Sequence, residues 1–438
     1  MSSNRSKALL ESGLDGIAYK LRDARTVWLG YSGGLDSTVL LYLMNRVGCK
    51  VKALHVNHQL SMNANFWEQH CRRFAQSMGL EFVAERVKVF AQGSGLESAA
   101  RDKRYQVFDQ YVGQDDVLLL AHHADDQLET LIYRIMRGTG LKGLAGIVAQ
   151  RPLRSCALDS GRLLRPLLPV SRRAILEYAR DHKLDWVSDE SNAQTTFDRN
   201  YIRSKVVPHL AQRWPDAAEQ AASTAHLVAS SIALLNEYAA ADLAACDQRV
   251  ERMGESLCLQ QLMSYSQARK RHVLRCWVEH CGFSMPSQAQ LMQLDLLISA
   301  KDDAQPELQW GQCVFHRFQG RLYMHSPIPE QSKRALAWRG EGEIDLPLGK
   351  LKLRGQGRGL KPGSYAIQFR QVGERCKPAG RAHSQTLKKL FQEYKLEPWL
   401  RDYVPILYLQ GEIAAVGDLF ICEGFVCDQG WQQSWLIE

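Results

Sequence analysis

Residues 31–38 read YSGGLDST and lie between two apolar segments of different character. The preceding TVWLGY has the β-branched and aromatic residues of a strand, whereas the following DSTVLLYLMNRV is long enough for a helix that is buried on one face. Two adjacent glycines between them predict a turn whose backbone a ligand can approach closely. Free N–H groups at the start of the helix, together with nearby hydroxyl groups, favour a phosphate.

The turn differs from the P-loop of kinases and GTPases, which needs a lysine in G-x-x-x-x-G-K-[ST]. No lysine follows Gly33 and Gly34. The pattern S-G-G-x-D-S after a strand resembles instead the pyrophosphate loop of the ATP pyrophosphatases, which split ATP between its α and β phosphates. Backbone amides and Mg²⁺ held near Asp36 would then act on the departing pyrophosphate. The alternative is an ordinary turn in which Asp36 or Ser37 caps the helix.

Composition indicates a globular protein of about three domains. The chain has 438 residues, 45% of them apolar and 23% charged, and no apolar run approaches the ~18 residues that a membrane span needs. We expect no signal peptide and a cytoplasmic location. The eleven cysteines include no C-x-x-C pair, so neither a zinc site nor a disulfide framework is indicated. A net charge of +8 suits a partner rich in phosphate.

Hydrophobic patterning predicts three domains in an α/β arrangement. Residues 1–215 alternate strands and helices as in a parallel sheet, residues 216–335 are mainly helical with a terminal β-hairpin, and residues 345–438 form a small α+β unit. Polar clusters follow the predicted strands of the first domain, where ligands of such sheets gather. Residues 351–395 hold eleven Lys and Arg against two acids, which indicates either phosphate binding or a solvated basic face.

The segment AHHADDQLET, residues 121–130, places Asp126 and Glu129 on neighbouring positions of one helix face. Two carboxylates there can bind a cation. Two other interpretations are open. The pair also fits a helix cap, with Asp126 as the N-cap and Glu129 at the third helical position. A metal hydrolase using the histidines and aspartates of this segment is the second, although no other cluster completes a metal shell.

Two arginine pairs have helical spacing. Arg101 and Arg104 in ESAARDKRY suit the binding of phosphates or a developing oxyanion, or else they form an exposed charged face. Arg199 and Arg203 in FDRNYIR lie one helical turn apart. The segment that leads to the second pair also contains Asp189 and Asn192.

The ordered motifs SGGLDS, HVNHQL, ESAARDKRY, AHHADDQLET, RGTGLKGLAGI, RPLL and FDRNYIR resemble those of the bacterial tRNA(Ile)-lysidine synthases. The likeness extends to the segment from GRAHSQTLKKLF to AVGDLF near the end of the chain. It implies an ATP pyrophosphatase fold and the ATP-dependent joining of L-lysine to C2 of the wobble cytidine in the isoleucine tRNA with a CAU anticodon. The tRNA would thereby change its codon and its aminoacylation identity from methionine to isoleucine.

The resemblance also implies roles for individual residues, with ATP, Mg²⁺, lysine and tRNA as ligands. The middle and C-terminal domains would bind tRNA. The implied catalytic residues are Asp36, Arg101, Asp126 and Glu129. The implied ATP-binding residues are Ser32, Gly33, Gly34, Leu35, Asp36, Ser37 and His55, with Asp36 also near Mg²⁺. The implied lysine-binding residues are Asp126, Glu129, Arg199 and Arg203. The implied tRNA-binding residues are Arg381, Lys388, Lys389 and Arg401.

Two other function classes remain open at the level of sequence. A tRNA thiolase on the same fold would use sulfur in place of lysine, but such enzymes need a cysteine pair or iron–sulfur ligands, and no C-x-x-C is present. A non-catalytic RNA-binding protein would explain the basic C-terminal unit and leave the phosphate loop unexplained. Lysine labelling of a tRNA transcript separates the three.

Overall fold

The structure, a computed structural model, divides into two compact units, Met1–Leu235 and Asn236–Glu438. The predicted domain boundaries after residues 215 and 335 stay predictions. Asp189 and Asn192 lie outside the described residues. Within the described part of the chain, no helix has both the length and the apolar character needed to cross a membrane. The structure describes residues 17, 20–90, 96–153, 161–188, 198–300, 306–329, 335–340 and 342–437.

A six-stranded sheet forms the centre of the first unit. Its strands are β1 Val27–Gly30, β2 Val51–Asn57, β3 Glu81–Arg86, β4 Val117–Leu119, β5 Gln150–Pro152 and β6 Arg162–Leu164. They lie in the order β3–β2–β1–β4–β6–β5, and only β5 runs antiparallel to its neighbour. The segments TVWLGY, VKALHVNH, EFVAERVKV and DVLLLAHH, which have the composition of strands, contain β1 to β4. The predicted α/β fold is therefore confirmed, and β5 and β6 extend the sheet.

Helices connect these strands and follow them along the chain. They are α1 Leu35–Arg46, α2 Ala64–Ser77, α3 Leu96–Tyr111, α4 Ala124–Met136, α5 Leu141–Leu144, α6 Arg172–Asp181, α7 Asp198–Tyr201, α8 Val207–Arg213 and α9 Ala217–Ala245, the last of which continues past Leu235, where the first unit ends. A π-helical turn, Ile202–Val206, joins α7 to α8. Pro208 in the first turn of α8 has no N–H to donate to the carbonyl of Ser204, so the regular hydrogen-bond pattern is interrupted where the π turn lies.

The chain order around β1 positions the ligand site. From β1 the chain continues to β2 and β3 on one side and only then crosses to β4 on the other. The connections therefore diverge between β1 and β4, and open parallel sheets bind ligands outside the carboxyl ends of the strands at such a point. Helices α1 and α4 follow these two strands, so both helices begin at the site.

Among its described residues, the second unit contains four antiparallel sheets. A five-stranded sheet, β7–β8–β11–β10–β9, includes the predicted hairpin, and sheets of five (β12–β15–β18–β19–β20) and three (β13–β14–β21) strands follow. These strands are β7 Arg249–Val250, β8 Glu255–Cys258, β9 Glu307–Trp310, β10 Cys313–Phe318, β11 Arg321–His325, β12 Leu336–Trp338, β13 Glu343–Asp345, β14 Lys350–Leu360, β15 Tyr365–Gln368, β18 Ile406–Leu409, β19 Glu412–Val416, β20 Phe420–Ile421 and β21 Val426–Leu436.

Short elements complete the second unit. Strands β16 Arg375–Cys376 and β17 Gln385–Thr386 pair with each other. The helices are α10 Leu259–Ser264, α11 Gln267–His280, α12 Gln288–Ser299 and α13 Leu387–Glu393, with a 3₁₀ turn at Pro398–Leu400. Helix α13 lies in the segment SQTLKKLFQEY, and its buried face is formed by Leu387, Leu390 and Phe391.

Candidate active site

The turn after β1 has the geometry expected of a phosphate loop. Gly33 has a φ of +82°, and a Cβ atom there would lie 2.5 Å from the buried Cys71 Sγ, so only glycine fits. Gly34 is the N-cap of α1 without a side-chain cap. The Ser32 and Ser37 hydroxyls lie 3.0 Å apart, and Ser37 donates to the Gly34 carbonyl at 3.1 Å. Of the predicted ATP-binding residues, Ser32 is exposed, whereas Leu35 and Ser37 are buried.

Asp36 lies in the first turn of α1 and does not cap that helix. Its Oδ2 atom is 3.7 Å from His123 Nε2, and its shielded Oδ1 has no hydrogen-bond partner among the described residues. Burial raises the pKa of this carboxyl, and the neighbouring His123 only partly opposes the shift. A shielded carboxylate oxygen of this kind can accept a cation or a donor from a ligand.

The first turn of α4 corrects the predicted helix cap. The N-cap is His123, and Asp126 occupies the third helical position, where its Oδ2 accepts from the His123 N–H at 3.1 Å. Glu129 therefore lies in the second turn and has no capping role. The interpretation with Asp126 as N-cap and Glu129 at the third position is wrong because the helix begins three residues earlier than that pattern required.

Asp126 and Glu129 share one cation of the protein. Arg203 Nε and Nη2 donate to the two Glu129 oxygens at 2.7 and 2.9 Å, and Nη2 also donates to Asp126 Oδ1 at 2.9 Å. The Glu129 side chain is 1% exposed and that of Arg203 is 40% exposed. The second arginine, Arg199, lies 3.7 Å from Glu129 Oε2. The helical spacing of the two arginines thus directs both of them to the carboxylates.

The two carboxyl groups have different acidity. Burial raises the pKa of Glu129, more than the Arg203 pairing lowers it. Burial also acts on Asp126, but His123, His122 and Arg203 outweigh it and hold the pKa of this carboxyl below its usual value. The site therefore contains one firmly ionised carboxylate beside one that is costly to ionise.

A cationic group adjoins these carboxylates on the other side of His122. Arg165 is 5% exposed, and its Nε lies 3.3 Å from His122 Nδ1. The guanidinium groups of Arg101 and Arg151 lie 5.1 and 5.4 Å from the centre of the Tyr105 ring. Burial lowers the pKa of His122 to about 3, so this imidazole is neutral at physiological pH. The exposed Arg101 thus has two arginines near it and can meet an anion.

His55, a predicted ATP-binding residue, contacts the backbone at the start of the phosphate loop. Its Nδ1 lies 2.9 Å from the Tyr31 carbonyl, and the residue is 5% exposed. The adjacent His58 lies 3.5 Å from Arg104 NH2, so the second predicted arginine also faces the carboxyl end of β2. Contact of His55 with ATP stays a prediction.

The predicted tRNA-binding residues lie in the second unit in two kinds of environment. Lys388 and Lys389 are exposed at the start of α13. Arg381 forms an ion pair with Glu393, and Arg401 Nε donates to the Leu396 carbonyl at 3.0 Å. The two lysines are therefore the better placed to meet a phosphate, whereas the two arginines already have partners within the protein.

Neither Arg165 nor Tyr105 was predicted as a site residue from the sequence, and His123 was predicted only under the metal-hydrolase interpretation. His123 connects Asp36 with Asp126, to which its Nε2 lies 3.5 Å, and Arg165 and Tyr105 build the cationic group. The signal for His123 was present, because it precedes an acidic helix start. Arg165 lies in RPLL with no partner nearby in sequence, so its position beside His122 depends on the pairing of β6 with β4.

Comparisons with known proteins cover nearly the whole chain. The PP-loop domain family matches residues 4–210, the TilS substrate binding domain residues 257–323, and the TilS substrate C-terminal domain residues 366–436. The tRNA(Ile)-lysidine synthase of Coxiella burnetii is 37% identical over 94% of this chain and 92% of its own length. Those of Vibrio cholerae and Serratia proteamaculans are 38% and 36% identical, over 94% and 96% of this chain and 95% and 97% of their own lengths.

Proposed function

Because this chain belongs to the tRNA(Ile)-lysidine synthase family, we propose that it joins L-lysine to C2 of the wobble cytidine of the isoleucine tRNA with a CAU anticodon. ATP adenylates the cytidine O2 and releases pyrophosphate, and a lysine amino group then displaces AMP. The observation that carries the proposal is that His123 connects the phosphate-loop residue Asp36 with the Asp126 carboxylate across the switch point of the sheet.

The first step converts the cytidine O2, a poor leaving group, into an adenylate, which is a good one. The cytidine O2 attacks the α-phosphorus, the bond to the β-phosphate breaks, and pyrophosphate leaves with the bonding electrons. We assign the backbone N–H groups after Gly34 and the Ser32 hydroxyl to the pyrophosphate. We also assign Arg101, which has Arg151 and Arg165 close by, to the negative charge of the adenylate.

Asp36 is suited to bind Mg²⁺, but the described residues around it do not form a complete set of metal ligands. The shielded Oδ1 of Asp36 is free to bind a cation. Among the described residues, no group of three or more His, Cys, Asp or Glu side chains could hold a metal ion. Mg²⁺ is commonly bound by one or two carboxylates together with substrate phosphates and water, so a single protein ligand is compatible with it. Once bound, the ion would neutralise charge on the pyrophosphate.

The second step requires a lysine held beside the activated carbon. We assign Asp126 and Glu129 to a lysine ammonium, and Arg199 and Arg203 to the lysine carboxylate or the adenylate phosphate. The amine attacks C2 as a free base, the C2–O bond breaks, and AMP leaves. Since Arg203 holds both carboxylates without lysine, lysine binding must exchange one cation for another there.

Among the described residues, the cysteine beside the phosphate loop does not suit the alternative of a tRNA thiolase. Cys71 lies directly below Gly33, but it is fully buried, and burial raises the pKa of its thiol to about 12. Such a thiol is not ionised at physiological pH and is a poor nucleophile. A tRNA substrate and free cysteine thiols favour the cytoplasm as the place of action, and this location is part of the proposal.

A labelling assay tests the proposal. The protein is incubated with ATP, Mg²⁺, radiolabelled lysine and an isoleucine tRNA transcript with a CAU anticodon, and the RNA is digested to nucleosides. We expect label in the wobble nucleoside and one AMP per lysine incorporated. A transcript with uridine at the wobble position and the Asp36→Ala variant are the controls. Absence of label from the first transcript, with folded protein and intact tRNA, would refute the function.

A further inference from the structure

His122 lies between the acidic and the cationic parts of the site. It follows β4 at the carboxyl edge of the sheet and immediately precedes the N-cap of α4. Its ring interacts electrostatically with Asp126, and Arg165 Nε lies 3.3 Å from its Nδ1 atom. One imidazole ring therefore connects a carboxylate assigned to lysine with the arginines assigned to the adenylate.

Arg165 is fixed in place beside this ring. It is 5% exposed and follows β6, whose pairing with β4 places Leu164 opposite Leu119. Its backbone N–H donates to the Ala149 carbonyl at 2.9 Å, and its Nη1 donates to the Val148 carbonyl at 2.7 Å. Because the sheet holds the backbone and a carbonyl group holds one end of the guanidinium, the Nε–H group keeps its direction toward the imidazole.

The contact with Arg165 fixes the tautomer of His122. A guanidinium group has hydrogens to donate and no acceptor, so His122 Nδ1 must accept the hydrogen bond. A neutral imidazole that accepts at one nitrogen carries its hydrogen on the other. Burial lowers the pKa of His122 to about 3, and Arg165 acts in the same direction. At physiological pH the ring is therefore neutral, with its hydrogen on Nε2.

The charged groups around the ring keep it neutral. Besides burial, the three cations Arg165, Arg101 and Arg199 disfavour a proton on the imidazole, whereas Asp126 favours one. Burial and the cations outweigh the single carboxylate. A protonated His122 would form an ion pair with Asp126 and compete with the lysine ammonium, so a neutral ring leaves this carboxylate to lysine.

The Nε2–H group of His122 can reach a ligand. The residue is partly exposed, and within the described part of the chain no side chain or backbone group forms a hydrogen bond with this nitrogen. An N–H group of fixed direction suits an oxygen on which negative charge accumulates in a transition state. The nearby Arg101 and Arg165 attract an anion to the same place.

We propose that His122 donates a hydrogen bond from Nε2 to a non-bridging phosphate oxygen of the adenylate, and that Arg165 is the positioning residue that fixes the tautomer. This inference rests on the proposed function and adds a catalytic residue to it. The hydrogen bond forms first to the α-phosphate of ATP and strengthens as the bond to pyrophosphate breaks. His122 transfers no proton, since Arg165 occupies its basic nitrogen. The base that receives the proton of the attacking amine is therefore another group.

The kinetic test compares two amides at position 122. The oxygen of asparagine can replace Nδ1 as the acceptor for Arg165, but its amide does not reach as far as Nε2, whereas the amide of glutamine does. Pyrophosphate release is measured with ATP, Mg²⁺ and tRNA transcript in the absence of lysine. Removing one donor to a developing negative charge costs about 10²–10³-fold in rate, so we expect a loss of at least ~10²-fold for His122→Asn and of less than ~10-fold for His122→Gln.

A matched control is available on α9. His226 is an exposed histidine of this helix, and His226→Asn should release pyrophosphate at the wild-type rate. Melting temperatures verify that the three variants fold. Equal losses in His122→Asn and His122→Gln, or a rate within threefold of wild type in His122→Asn, would overturn the proposal.

Nitrogen NMR of protein with isotope-labelled histidine rings detects the tautomer directly. The His122 signals are those absent from the spectrum of His122→Gln. In wild type we expect a hydrogen on Nε2 and none on Nδ1 throughout the range from about pH 5 to 8, and a shift of the Nε2 signal when an ATP analogue with a methylene group between the α and β phosphates is added with Mg²⁺. Arg165→Met should allow the ring to titrate or to change tautomer in this range.

The wild-type spectrum decides the proposal even where a variant does not fold. A His122 ring that carries its hydrogen on Nδ1, or that titrates in wild type between about pH 5 and 8, would overturn it. An Nε2 signal that does not respond to the ATP analogue would do the same. Failure of the proposed function is distinct, since wild-type protein would then place no lysine in tRNA while the state of the ring would still be measured.

Discussion

Replacing Glu129 by glutamine should destabilise the first unit as well as abolish lysine transfer. The Glu129 side chain is 1% exposed and receives two hydrogen bonds from Arg203, at 2.7 and 2.9 Å. Removing one partner of a buried ion pair costs about 3–5 kcal/mol. The Arg203 side chain is 40% exposed and stays partly hydrated. Because burial raises the pKa of Glu129, the substitution also relieves the cost of a buried charge, so we expect a net loss of only about 1 kcal/mol. That loss corresponds to a melting temperature lower by about 2–4 °C.

A double-variant cycle isolates this pair. Arg203→Met removes the other charge, so Glu129→Gln with Arg203→Met should be destabilised by about 2 kcal/mol less than the sum of the single variants. Denaturant unfolding of the four proteins measures the coupling. Lysine transfer should stay at least ~10²-fold below wild type in the variants that lack the Glu129 charge, whatever their stability. Additive stabilities, or a stable Glu129→Gln protein with full lysine transfer, would refute the assignment.

Three other predictions follow from the same geometry. Asp126→Asn keeps an acceptor for the His123 N–H, so we expect adenylation of tRNA to persist while lysine transfer falls by ~10²-fold, and equal losses in both assays would contradict this. Asp36→Asn should abolish pyrophosphate release, yet stabilise the protein at neutral pH by about 1 kcal/mol and raise its melting temperature by a few degrees. Because burial raises the pKa of Asp36, this gain in stability should disappear as the pH falls through the pKa of the folded-state carboxyl group. A gain that persists at acid pH would contradict the prediction. Lys388→Gln with Lys389→Gln should weaken tRNA binding at all sequences and flatten the slope of log affinity against log salt by roughly 2, whereas an unchanged slope would make these lysines a solvated face.

The phosphate loop could be predicted because its information is local. The glycine pair, the preceding strand and the following helix are contiguous, and Gly33 has the positive φ that such a turn needs. Conversely, the start of α4 was misplaced because Asp126 suits both the N-cap and the third position of a capping box. The helix start is fixed by His123, whose backbone N–H donates to the Asp126 carboxylate. The sequence pattern does not show that His123 is the N-cap.

Contacts between distant segments were beyond the sequence. Ser171 and Glu219 meet in one pocket although neither has a motif around it. The arginines of FDRNYIR were predicted to bind a ligand. In the structure Arg203 instead forms an ion pair with Glu129, which lies 74 residues away in the sequence. Charge and spacing predicted that these groups act together, but which charge neutralises which depends on the packing of the π turn against α4.

The position of Arg203 explains how acidic groups can share one small site before lysine arrives. Asp36, Asp126 and Glu129 would repel one another without a cation, and Arg203 supplies it from a partly hydrated position. A lysine ammonium that takes over these hydrogen bonds replaces one cation by another. The carboxylates then always have a cationic partner, so the exchange avoids the free-energy cost of a buried unpaired charge. The released guanidinium becomes available to an anion, either the lysine carboxylate or the adenylate. We therefore expect Arg203 to neutralise the carboxylates before substrate binds and to bind an anion once substrate is present.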